Sequence, residues 1–308
     1  MNSNLKLSVS PHIHSGRSTA NIMRDVIIAL LPVTVAGTLI FGLRSLLVVA
    51  VCVLSSVLFE ALFNICVKKE QTIGDFSAAL TGLLLGLNLP AIIPIWQCVV
   101  GSAFAIIVVK CLFGGIGFNV VNPAITARVF MLVAFGSMAK QAFPIADAVS
   151  SATPLDLMSK GQVVELKDLL LGTTGGAIGE TCAIALLIGF VYLLVRRVIS
   201  WHIPVSFVAS VYILSLFTES FDFTKALAMI LSGGLLIGAI FMATDYVTSP
   251  STSKGKLIFG IGAGVITFLI RYYGRYPEGV SFAILLMNIL TPYIDKMSAY
   301  KVFGGQKK

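Results

Sequence analysis

The sequence predicts an all-α, polytopic membrane protein of about ten transmembrane helices in two inverted five-helix repeats, some of the helices short or broken. Three observations carry the prediction. First, the 308 residues are 57% hydrophobic and only 12% charged, where soluble domains carry about 25% charged residues. A soluble core of this length cannot withdraw so much apolar side chain from water, so lipid is the solvent for most of it. Second, the apolar residues gather into ten segments, at 24–43, 45–67, 76–89, 93–113, 122–138, 181–198, 203–217, 224–244, 256–270 and 279–294. Third, the segments match across the chain. Pro90 and Pro250 close equivalent segments 160 residues apart, Arg24 and Thr181 open equivalent ones, and Asn122 pairs with Gly279. Five is an odd number of crossings, so the two halves enter the membrane from opposite sides. Broken helices at the midplane of such repeats usually build the binding site.

The order along the chain follows. A polar arm at 1–23 has no short apolar core with a small-residue cleavage site, so no cleaved signal peptide is expected. The first repeat spans 24–138. Its first two segments reach the ~20 residues needed to cross the hydrocarbon core. Segment 76–89 is the shortest and ends Asn88-Leu89-Pro90; such an end is tolerated at membrane depth only where it faces protein or a cavity. Segment 122–138 contains Arg128, which must face the protein interior or snorkel. The interval 139–180 is the longest polar stretch. A membrane protein that keeps one such loop tends to put chemistry there. The second repeat spans 181–295, its segment 224–244 running into Ala243-Thr244-Asp245-Tyr246, and a tail at 296–308 closes the chain.

Charge sets the expected orientation. Of the 22 Lys and Arg residues, fourteen fall in, or at the segment ends beside, intervals that are cytoplasmic if the N-terminus is inside, seven fall in or beside the outer intervals, and Arg128 is left well within a segment. That bias places both termini inside and the 139–180 loop outside. The basic residues lie singly or in pairs between apolar segments, not in a patch with interleaved aromatics, which excludes a nucleic-acid partner. Five cysteines form no CxxC pair, so neither a disulfide framework nor a zinc site is indicated. They read as small packing residues, a redox role being left open. His12, His14 and His202 lack metal-ligand spacing.

Four places could carry chemistry. Thr153-Pro154-Leu155-Asp156 is a helix start, with Thr153 as N-cap, Pro154 at N1 and Asp156 at N3. A phosphate on an N-cap hydroxyl would meet free backbone N–H groups and the positive end of the helix dipole. Asn119 and Asn122-Pro123-Ala124 follow a glycine run that permits tight turns and close approach of a ligand. The plain reading of Asn122 is again an N-cap. An aquaporin-type channel would carry a second Asn-Pro-Ala in the other half, and none is present. Asp245 and Glu278 are the carboxylates nearest membrane depth without a basic neighbour. Intramembrane acids are candidates for an ion path, with solvated interfacial loops as the equal alternative.

Asp147, Ser150, Ala152 and Thr153 resemble the flavinylation motif of the Rnf/Nqr family of membrane flavoproteins, an Asp followed by a Ser/Thr-Gly-Ala-Thr run; Ser151 stands where that pattern has Gly. The resemblance extends through Ser10-Pro11-His12, Thr81 to Pro90, Gly114 to Ala124, Met242 to Asp245 and Tyr276 to Asn288, nearly end to end. The length, without a long N-terminal extension, is closer to the Rnf branch than to the sodium-pumping quinone reductase branch. What the resemblance implies is a membrane subunit of a complex that moves electrons between ferredoxin and NAD and exports protons or sodium. It implies FMN joined through its phosphate to Thr153, and a second, non-covalent riboflavin in the membrane part, which Asn119 and Asn122 could serve. It also implies a flavin transferase for maturation and partner subunits that hold the NAD and iron–sulfur sites, for which this chain has no fingerprint. The alternatives are the quinone-reductase counterpart and a urea- or ammonium-transporter-like solute channel with no redox role.

Overall fold

The computed structural model describes residues 18–136, 153–160, 162, 164–274 and 279–299. Asp147, Ser150, Ser151, Ala152 and Glu278 lie outside these residues. Everything regular among the described residues is helical. Helix α1 (Thr19–Phe41) starts ahead of the expected residue 24 because Ser18 caps it, its hydroxyl oxygen accepting from the Asn21 N–H. It ends at Gly42, whose φ of 82° turns the chain into α2 (Leu43–Val67). Then come α3 (Ser77–Leu87), α4 (Ile95–Cys111, its second half wound with i→i+5 bonds) and α5 (Pro123–Ala134). Two short helices follow, α6 (Pro154–Ser159) and α7 (Leu166–Leu171). The second half comprises α8 (Ala183–Val195), α9 (His202–Thr218), α10 (Phe223–Leu231), α11 (Leu235–Met242), α12 (Ser253–Tyr273) and α13 (Val280–Ser298).

By length and apolarity α1, α2, α12 and α13 can each cross a membrane, and α10 with α11 makes a fifth span bent by 63°. The shorter apolar helices are α3, α4, α5, α8 and α9. The ten apolar segments of the sequence thus correspond one for one to these elements, and the protein is a polytopic membrane protein. Segment 224–244, expected as a single run, is two helices. Ser232-Gly233-Gly234 breaks it, with φ of 66° and 67° at the two glycines, a conformation L side chains avoid.

Packing repeats in the same order. The second helix of each half lies on the third and fourth elements of its own half: α2 on α3 and α4, α9 on α10 and α12. Across the halves the first elements pair, α1 with α8, and so do the last, α5 with α13. Small residues allow the close contacts. Gly260 and Gly264 of α12 face Ser206 and Ser210 of α9, and a Cβ at either glycine would collide with the serine hydroxyl, the packing helices use where lipid competes for apolar contact. Large apolar side chains such as Leu39, Leu54, Val133 and Val195 are left exposed on the outer faces, as a lipid-facing surface requires.

The later part of the polar interval joins this core. Ala177, Ile178, Glu180 and Thr181 are buried. The Ile178 N–H donates to the Leu89 carbonyl at 3.1 Å, and the Gly179 N–H to the Leu87 carbonyl at 2.7 Å. Backbone that cannot reach water must find such partners.

Candidate functional site

A cleft opens between the ends of α1, α3, α8 and α11, and three of the sequence candidates meet in it: Asn119, Asn122 and Asp245. It holds about 780 Å³ of non-atom space, part of it open to solvent, with an apolar wall that includes Val26, Leu84 and Phe241. The glycine run delivers the two asparagines. Gly114, Gly115 and Gly117 have φ of 124°, 103° and 89°, a sequence of turns that side chains would strain. Asn122 is the N-cap of α5, its Oδ1 accepting from the N–H groups of Ala124 (3.0 Å) and Ile125 (3.3 Å). Its Nδ2 donates to the Met242 carbonyl at 3.3 Å. The cap reading therefore holds, and Asn122 shapes the wall. Asn119, whose Nδ2 donates to the Val121 carbonyl at 3.1 Å, is buried beside it. The Asp245 carboxylate accepts from the Thr248 hydroxyl at 3.2 Å.

Lys110 and Ser77 also line the cleft. The charge pattern counts Lys110 among the residues of a cytoplasmic interval; it is instead 3% exposed inside α4. Its Nζ meets Glu60 Oε1 of α2 at 2.8 Å and Ser77 Oγ at 2.6 Å, and Thr72 Oγ1 donates to the same Glu60 oxygen at 2.8 Å. Two opposite charges buried together neutralise each other where neither could stand alone. Glu60, an acid within an otherwise apolar segment, signals in the sequence that it needs a buried partner, though not which one.

Thr153 lies away from the cleft. It is the N-cap of α6, buried, with Oγ1 accepting from the Asp156 N–H at 3.2 Å and Pro154 at N1. Leu155 is packed so closely on the α10–α11 break that a Cβ at Gly233 would overlap its Cδ1. Arg271 of α12 binds the same break from another side, donating to the carbonyls of Met229 (2.6 Å), Ser232 (2.9 Å) and Gly233 (3.0 Å). The Thr153 helix is thus docked near the start of α11, and the cleft begins near its end, at Phe241 and Thr244.

Arg128, expected to face the interior, does so. It is 6% exposed and its Nη1 donates to Asn88 Oδ1 at 2.7 Å, with Glu180 Oε2 3.9 Å from Nη2. Glu180 in turn accepts from the Ala177 N–H at 2.9 Å. Among the described residues no group of three His, Cys, Asp or Glu could hold a metal ion.

A helical membrane component with a mainly apolar cleft at the end of α11, and a capped threonine whose helix docks on the break before α11, is the class these features define. The NQR2, RnfD, RnfE family model matches residues 6–304, and the chain belongs to that family. It is 46% identical to the D component of the Na(+)-translocating ferredoxin:NAD(+) oxidoreductase complex of Acetobacterium woodii, over 99% of this chain and 96% of that protein. It is 41% identical to the D component of the proton-translocating ferredoxin:NAD(+) oxidoreductase complex of Clostridium ljungdahlii, over 98% and 96%. The D component of the ion-translocating oxidoreductase complex of Yersinia enterocolitica is 36% identical, over 98% and 99%.

Proposed function

We propose that this chain is the RnfD-type membrane component of an Rnf complex that couples electron flow between ferredoxin and NAD to export of protons or sodium. The observation that carries the proposal is the end-to-end match to components so named, with Asn119, Asn122 and Asp245 gathered in the cleft at the end of α11 and the helix capped by Thr153 docked near its start. The remaining subunits of the complex are its partners, since ferredoxin and NAD must be met elsewhere. The positive-residue bias puts both termini in the cytoplasm, the cleft on the inner side and Thr153 on the outer.

The cleft is the place in the fold whose lining suits a non-covalent riboflavin best. Its lining offers an apolar wall for a ring system and Asn119, Asp245, Ser77 and Thr81 for its polar edge. Thr153 is the residue that would carry FMN as a phosphate ester. Because the residue is mostly buried and its hydroxyl serves as the α6 cap, we expect a flavin transferase to reach it before α6 docks. When bound, the flavins supply one- and two-electron transfer; the protein supplies tether, orientation and surroundings. Asp245 and Glu278 are the acids proposed for the ion path.

The decisive experiment is the mass of the peptide that contains Thr153, isolated from native membranes beside a Thr153→Val variant. The expected result is an increase equal to FMN less water, with in-gel flavin fluorescence lost in the variant. An unmodified Thr153 in a host that flavinylates its other targets would overturn the covalent assignment.

A further inference from the structure

Two stretches of the bundle are wound with i→i+5 bonds, Phe104–Cys111 in the second half of α4 and Gly238–Met242 at the end of α11. Both run to the cleft, where Lys110 and Phe241 form part of the wall. Such winding is frequent at functional sites. In α4 it brings a lysine to the cleft, and that lysine does more than pair with an acid.

Lys110 is the inner end of a chain of hydrogen bonds that leads out of the bundle. Its Nζ donates to Ser77 Oγ at 2.6 Å, and the Ser77 hydroxyl donates to Asp75 Oδ1 at 2.5 Å. Asp75 ends the short turn Ile73–Asp75 between α2 and α3 and is partly exposed. Each link is short enough for direct proton transfer. Lys110 and Ser77 line the cleft, whereas Asp75 does not. The other titratable residues of the lining have local partners: Asp245 bonds Thr248, and the Tyr246 hydroxyl donates to the Val198 carbonyl. Behind Lys110, Glu60 Oε1 accepts from Nζ and from Thr72, while Glu60 Oε2 is buried with no hydrogen-bond partner. A pair built for stability alone would satisfy both oxygens.

We propose that Asp75, Ser77 and Lys110 form a proton relay from the exposed turn into the cleft, with Lys110 as terminal donor and Glu60 as the counter-charge that keeps it protonated at rest. Resting on the flavin reading of the cleft, the relay ends at a ring nitrogen that gains a proton with its electrons. The Lys110 ammonium gives one proton to the occupant of the cleft. Ser77 passes its hydroxyl proton to the neutral amine and takes one from the Asp75 carboxyl, and water reprotonates Asp75. One proton moves inward, the three side chains are restored, and the electrons are those the complex already carries. Asp245 and Glu278 take no part.

The test uses the whole complex in unbuffered solution. A light flash injects electrons from a photosensitiser, flavin absorbance follows them, and a pH-sensitive dye follows proton uptake. Asp75→Asn keeps an acceptor for the Ser77 hydroxyl and N–H but carries no proton. It is expected to retain riboflavin and to take up the proton several-fold more slowly than wild type. Formate in the medium, a diffusible acid, should restore its rate, as it would not for a structural defect. Ser77→Ala, and Lys110→Met combined with Glu60→Gln, should be slow as well. An Asp75→Asn complex that keeps its riboflavin and takes up protons at the wild-type rate, or is slow and deaf to formate, overturns the relay and leaves the cleft reading intact. Riboflavin absent from the wild-type complex, or undiminished by Leu84→Trp, which crowds the cleft wall, overturns the cleft reading, and the relay falls with it.

Discussion

At the residue scale the two buried ion pairs behave differently from anything on the surface. Glu60 and Lys110 are each 3% exposed, and Ser77 and Thr72 bond them further. Removing one partner leaves a charge with no water to turn to, a change that costs about 3–5 kcal/mol, whereas replacing both is often close to neutral. Lys110→Met is therefore expected to lower the unfolding temperature sharply in detergent, and Lys110→Met with Glu60→Gln to recover most of the loss. A single variant as stable as the parent would show the pair to be dispensable. Sequence legibility at this scale followed chemistry that is local. Asn122-Pro123 and Thr153-Pro154 announce helix caps within four residues, and both are caps. Arg128 in an apolar run announces an interior partner. Glu60 with Lys110 could not be read as a pair, because nothing in a sequence states which of two helices fifty positions apart will touch.

Among the elements, α10 and α11 hold the most consequence for their length. Apolar periodicity shows only that 224–244 is buried; it does not separate one straight helix from two at 63°. The Gly233-Gly234 dipeptide was the available sign, and its positive φ angles are what it provides. An alanine in the left-handed region is disfavoured by about 1–2 kcal/mol, and at Gly233 its methyl would also meet Leu155. Gly233→Ala is thus expected to lift α6 off the break. The check is limited proteolysis: cleavage between α6 and α7 should be faster in the variant, and an unchanged cleavage rate would argue that Leu155 adjusts without undocking. The fate of 173–182 was equally hidden, since its polar composition resembles any surface loop, and only the carbonyls at the end of α3 reveal why it is buried.

For the whole molecule, composition and the ten apolar segments were enough to give the class of fold, because lipid as a solvent demands helices and little else. Helix α1 packs on α8 and α5 on α13, contacts between segments far apart in the chain. Which faces pack was not legible, since nearly uniform apolarity leaves little amphipathic pattern to read.

The bonds from Ile178 and Gly179 to the end of α3 also bear on how the chain is made. Ribosomes deliver α3 some ninety positions before the residues that satisfy its last carbonyls, so through that interval the nascent first half holds an unfinished helix end in the membrane. A chain truncated after residue 136 should then be cleared by membrane proteases faster than one truncated after residue 182, as pulse-chase labelling would measure. Equal lifetimes would mean that some other group covers Leu87 and Leu89 during synthesis. Biogenesis of the first half, on this view, is completed by the linker and not by its own five helices.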